Sequence, residues 1–495
     1  MFKSNLKICG CRTIRYFRTF STQPDTYCQV LSDMIGIPST EAKFYIQKYR
    51  LKNKDAELLA QTITFCKGLG YSNKEILAAP TLFTCHPLEI EQHYYSLVEG
   101  GFQNVNPRVL SKTRTYMKKI VSYLKNHKLI LKSTNVEEKF VSCIEDKEIA
   151  GKIQLNSSDG EIWSQIHLDI QKHFLKMRLG GTEEEIDNLL QVHHIIKNKS
   201  FKVIQENIKI AEDLGFAPRK LIKYGYLLGN YPNYPKTTLR DLDNIAGIDM
   251  RVVMRRYPKL IMTSPKNIIK IYGILKEFDI PDDIIKKTPN VFHMSPETVR
   301  VRLQTIEQSP DLKVLLTQPK ILALIVHHNR AKTRLSFLQQ LQLRCTSFTI
   351  LRTDQDTVFE EYVKEGKDAN KRGDLYNYLQ NLFSIPIKDI KSKISRHPFH
   401  LQVPLKDMQE TYDYLINNQF KPINIYNVIF ILLYPKYKVQ DAHATIKYDS
   451  NFKYKSLTQV NKLNIMLYLI EKEHHFTGNG IWRNNKIPEN VSTIN

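Results

Sequence analysis

The sequence predicts an all-α solenoid of short helical units. Three observations predict it: prolines recur in pairs seven residues apart, small turns precede those pairs, and the apolar residues that follow fall at helical intervals. The stretches "YPKLIMTSP" (257–265) and "TPNVFHMSP" (288–296) share a Pro, an apolar pair, a Ser and a second Pro, and the second copy starts 31 residues after the first. Proline inside a helix loses a hydrogen bond and clashes with the preceding turn, so each proline marks a boundary. Serine before proline is a good helix start, because serine caps free N–H groups and proline gives up a donor that had no partner. The first proline of each pair therefore opens a short turn or half-helix, and the second opens a longer helix. Ile268, Ile271, Leu275 and Phe278 follow one pair on a single helical face, and Val299, Leu303 and Ile306 follow the other.

Further copies extend the array. Pro80 and Pro87 bracket Leu82-Phe83, and Pro398 and Pro404 repeat the pair one residue short. Pro319 opens another copy, with Val326 where the second proline would stand. A turn leading into a new helix precedes four of these units: "GYSNKEIL" from Gly70, "GIDMRVVM" from Gly247, "FDIPDDII" from Phe278 and "FSIPIKDI" from Phe383. Self-similarity at roughly 30 residues marks a solenoid whose units bury their apolar faces against neighbours. The Trp and Gly-Tyr positions of tetratricopeptide repeats are absent, as is the ankyrin "TPLHxA".

The doubled-proline unit resembles the mTERF family, the mitochondrial transcription termination factors and their relatives. The resemblance spans residues 70–126 and 200–440, and the run from Tyr378 to Pro422 is most similar to insect members. It implies a left-handed superhelix of three-helix units with a basic concave surface that holds nucleic acid.

The first twenty residues point the same way. "MFKSNLKICGCRTIRYFRTF" holds Lys3, Lys7, Arg12, Arg15 and Arg18, with no acid before Asp25, as a mitochondrial transit peptide does. The expected organisation is a transit peptide over 1–20, N-terminal helical repeats over 21–130, an acidic linker over 131–165, a C-terminal array over 166–475 and a disordered tail over 476–495. The linker reading rests on residues 131–170, where eight acids face four bases without a clear helical period. No apolar run reaches the length of a membrane span, so no membrane insertion is expected. The seven cysteines include no CxxC pair, which argues against a zinc site and a disulfide framework.

A formal charge of +22 favours polyanions, because neutralised phosphates release condensed counterions. Residues 100–136 hold eight Lys or Arg and no acid, and residues 312–353 hold seven and none. The candidate nucleic-acid contacts are Lys112, Arg114, Lys118 and Lys119; Arg251, Arg255 and Arg256; Arg300 and Arg302; Arg330, Lys332 and Arg334; and Lys436 and Lys438 between Tyr434 and Tyr437. Arg330 and Arg334 are four apart and share a helical face. Stacked units would align such residues into a stripe that follows a duplex backbone.

Nothing points to catalysis. There is no GxxxxGK[ST] phosphate loop and no HExxH, and the histidine pairs at 193–194, 327–328 and 474–475 are adjacent, so each pair faces two ways on a helix. No metal or cofactor is expected. The resemblance, with the basic charge and the presequence, implies a matrix protein that binds double-stranded mitochondrial DNA and regulates transcription by occupancy. Ribosomal RNA asks for the same basic stripe and stays open as a ligand, as does a scaffold role with another mTERF-family protein as partner.

Overall fold

A computed structural model describes residues 24–49, 51, 56–154, 158–242 and 244–472. The expected transit peptide and C-terminal tail lie outside the described residues. What is described is helical apart from one two-stranded hairpin, Asn244–Ile245 against Ile248–Asp249, and isolated bridges. The chain is an all-α helical-repeat protein. It divides into two compact units: residues up to Asp241 with Met254–Met262, and Leu242–Val253 with the chain from Thr263.

The doubled prolines do what their chemistry predicts. Pro258 and Pro289 each open a five-residue 3₁₀ helix, Pro258–Met262 and Pro289–His293. Pro265 and Pro296 then open thirteen-residue α-helices, Pro265–Glu277 and Pro296–Gln308. Ser264 and Ser295 cap them, accepting from Asn267 N at 3.3 Å and Thr298 N at 3.1 Å. A shorter helix, Asp282–Lys287, completes the three-helix unit. Ile268, Ile271, Leu275, Val299, Leu303 and Ile306 are all fully buried, whereas Phe278 is half-buried at the helix end. Pro404 stands one residue earlier than its counterparts, as the N-cap of Leu405–Asn417. Where Val326 replaces the second proline, it ends helix Leu322–Val326, and His328–Gln340 begins two residues on.

The four turns share a backbone device. Gly70, Gly247, Asp279 and Ser384 all have positive φ, which lets the chain reverse within one residue. Gly247 is the tightest, since a Cβ there would come within 2.8 Å of the Lys286 side chain.

Residues 131–165 are not a linker. They form helices Val136–Ser142 and Lys147–Gly151, and Phe140 is fully buried 5.1 Å from Trp163 and 6.0 Å from Phe201, ring centre to ring centre. Trp163 donates to Gly100 O at 3.1 Å, an approach so close that a Cβ at Gly100 would overlap the indole. A few large aromatics, rather than a long amphipathic period, anchor this stretch in the core of the first unit. The division into units falls instead near residues 241–263, inside what the sequence suggested was one array.

A second regularity ties long helices to the short helices that follow them within each unit. The seventh residue of four long helices donates to backbone carbonyls farther along the chain. Asn207 of Phe201–Asp213 reaches Leu228 O and Asn230 O at 2.9 and 2.8 Å. Arg302 reaches Ile325 O and Val326 O at 2.7 and 3.1 Å. Arg334 reaches Ile350 O and Thr353 O at 3.0 and 2.6 Å, and Thr411 reaches Tyr434 O at 3.1 Å. Gln171 of Trp163–Leu179 does the same two positions later, to Ile196 O and Lys199 O. Short helices leave carbonyls without intrahelical partners, and a buried orphan carbonyl is costly, so these side chains act as clamps.

Candidate nucleic-acid interface

The clamps decide which predicted cations are available to a ligand. Arg334 is 5% exposed, its second terminal nitrogen lies 2.8 Å from Asp356, and its guanidinium sits 4.7 Å from the Phe359 ring centre. It is therefore removed from the interface. The acid-free window ends just before Asp354 and Asp356, and folding brings Asp356 back onto Arg334. Arg302 is half-buried, with one nitrogen committed to two carbonyls. Arg300 is paired with Glu277 at 2.6 Å, and Arg114 is paired with Glu89. Paired groups at the surface remain reachable, because exposed ion pairs contribute little and exchange readily.

In the second unit, cations converge at the start of helix His328–Gln340. Desolvation pulls the imidazoles of His327 and His328 below their ordinary pKa. Neighbouring charge adds to this: Arg330 and Arg352 at His327, opposed by Asp354, and Arg302 and Lys332 at His328. Arg330 and Lys332 are exposed, and Arg330 donates to Thr353 O at 3.3 Å. Exposed Arg330 and Lys332 beside half-buried Arg302 and Arg352 make a surface with excess positive charge, which attracts an anion. Arg251, Lys436 and Lys438 are tied to this cluster by no hydrogen bond or ion pair among the described residues. Arg251 and Lys436 are exposed and Lys438 is half-buried.

In the first unit, Arg114 and Lys118 line a cleft of about 850 Å³, together with His86, His93, His194 and Lys199. Glu89 is the single carboxylate of its lining; it contacts Arg114 and lies 3.8 Å from His93. Lys199 is 7% exposed, and its ammonium sits 4.7 Å from the ring centre of Tyr231. Burial lowers its pKa, with Glu89 opposing. His93 is also lowered, by burial first, then by Arg114 and Lys199 against Glu89. Lys112 is exposed, Lys119 stands 5.1 Å over Tyr123, and Arg256 stands 5.6 Å over Tyr257. Arg255 is exposed and lies against Gly215.

Sequence reasoning missed His86, His93, Lys199, His328 and Arg352. Adjacent histidines make poor metal pairs, which hid that His194 lines the cleft and that His327 and His328 sit in the second-unit cluster. For the clamps a signal did exist, a polar or basic residue at the seventh position of four long helices.

No family model matches the chain, and no solved structure matches it. The Drosophila melanogaster protein "Transcription termination factor 5, mitochondrial" is 28% identical over 466 residues, which span 90% of this chain and 82% of the relative. The likeness supports an mTERF family member. It runs far beyond any one repeat.

Proposed function

We propose that this mTERF protein is a nucleic-acid-binding regulator of mitochondrial transcription, acting in the matrix by occupying duplex DNA and so blocking or repositioning the polymerase. The observation that supports the reading most is the exposed pair Arg330 and Lys332 beside His327, His328 and Arg352. The relative's printed name supplies the transcriptional and mitochondrial setting. No helix among the described residues is long and apolar enough to cross a membrane. No catalytic step enters this reading.

The test is salt-dependent binding. Log K for duplex should fall with log salt by about 0.9 per phosphate contacted. Replacing Arg330 and Lys332 together with alanine should flatten that slope by up to about two contacts with the helical content unchanged. Arg334 is excluded from the variant because its loss would disturb the fold. An unaltered slope and affinity would remove the cluster from the interface. Matched RNA run in parallel tests the ribosomal alternative, and failure to bind either polymer would leave the scaffold with an mTERF-family partner. Fusing residues 1–30 to a reporter tests the address: matrix delivery and shortening are expected, and an uncleaved cytosolic reporter would refute it.

A further inference from the structure

The first-unit cleft is built to a standard that a groove for polymer backbone does not need. Lys199 is more than nine-tenths buried as a residue, and its ammonium, which lines the cleft 4.7 Å from the ring centre of Tyr231, makes no hydrogen bond and no ion pair among the described residues. A cation enclosed this far without an ion-pair partner gains from one. The backbone on either side of Lys199 is fixed. Gln171 holds its carbonyl at 3.2 Å, Ser200 caps the following helix at Val203 N, and the buried Glu99 accepts from Phe201 N and Lys202 N at 2.8 and 2.9 Å. The backbone that carries the ammonium is thus held in place by three neighbours that make no use of its charge.

The rest of the lining sets the size and kind of ligand. Arg114, Lys118 and Lys199 face one carboxylate, Glu89, so the cleft favours an anion. Tyr231 lies 5.9 Å from Tyr234 and 6.4 Å from His86, ring centre to ring centre, which provides flat surface beside that charge. A volume of about 850 Å³ is far more than an inorganic anion needs and falls within the roughly 300–1,000 Å³ of ligand pockets. We infer that this cleft binds one nucleotide unit through a phosphate monoester, with the phosphate on Lys199, Arg114 and Lys118 and the base against Tyr231 and Tyr234. The unit is either a free nucleotide or the phosphorylated end of a strand. The inference stands independently of duplex binding by the second unit.

The test titrates the full chain by calorimetry with adenosine 5′-monophosphate, with inorganic phosphate, and with one short single strand carrying a 5′-phosphate or a 5′-hydroxyl. Saturable binding of the nucleotide or of the phosphorylated strand is expected, at least tenfold tighter than inorganic phosphate and at least tenfold weaker in K199Q. Y231L keeps every cation and should weaken the nucleotide but leave inorganic phosphate unchanged. Thermal melting of both variants shows whether they fold. A free nucleotide that binds with no preference for the phosphorylated strand identifies the small molecule as the ligand. A strand preference of tenfold or more, above the free nucleotide, identifies the strand end. Equal affinity for nucleotide and inorganic phosphate, no binding at millimolar nucleotide or strand, or a folded K199Q that binds as wild type would each overturn the inference.

Discussion

The two units solve the same mechanical problem with different chemistry. In the first, the clamps onto downstream carbonyls are neutral amides, Gln171 and Asn207. In the second, two of the three are arginines, Arg302 and Arg334, with Thr411 the third. Amide clamps spend no cation, and Arg114, Lys118 and Lys199 gather in a cleft. Arginine clamps consume charge that a count along the chain would assign to a ligand. The comparison shows why basic density in sequence measures supply rather than availability.

Breaking that comparison is easiest in the core of the second unit. Leu303→Asp places an unpaired charge where no side chain is exposed, and the second unit should lose more than about 4 kcal/mol, read as loss of cooperative melting. Arg334→Ala should come next, at about 2–4 kcal/mol in chemical denaturation, because two carbonyls lose their donor; Asp356 is 81% exposed and rehydrates cheaply. Asn207→Ala, its neutral counterpart, should cost the first unit about 1–3 kcal/mol. If Arg334→Ala leaves stability untouched but flattens the salt slope, the arginine serves a ligand and the contrast between units fails.

A pH experiment sharpens the first unit's side. Burial pushes Glu99 up to about 7, although backbone N–H bonds pull the other way. Its folded pKa exceeds its unfolded one, so its contribution is fully present at low pH and lost as pH rises through about 7. The melting temperature of wild type relative to Glu99→Gln should therefore fall between pH 5 and pH 8. A constant difference would show that Glu99 stays ionised on the helix N-terminus throughout. The smallest effect expected is from Pro296→Ala, below about 1 kcal/mol in the same denaturation assay, because a first-turn proline has no hydrogen bond to lose.

Much of the fold was legible because local rules wrote it. Pro258, Pro289, Ser264 and Ser295 act within four residues of themselves, and the buried faces follow the helical period. The core over 131–165 was illegible for the opposite reason: Phe140 is buried by Trp163 and Phe201, partners that no local window contains. The interface was legible only as a reservoir of charge. Arg330 and Lys332 came through as exposed, whereas Arg334 was withdrawn by Asp356, a carboxylate one helix beyond the acid-free window.

The clamps also carry a direction in time. Each donor precedes its acceptors, by 16 to 28 residues for the five long-helix clamps. A chain emerging N-terminus first from a ribosome would present each donor before the carbonyls it must satisfy, so every new short helix would meet a waiting partner. Contacts this short in sequence close quickly and leave little nascent chain unsatisfied. Glu99 is the counterexample, since the N–H groups it accepts lie 102 and 103 residues later. The first unit could be assembled piecewise as it is made, but that carboxylate would wait for the helix at Phe201 before the piece is locked.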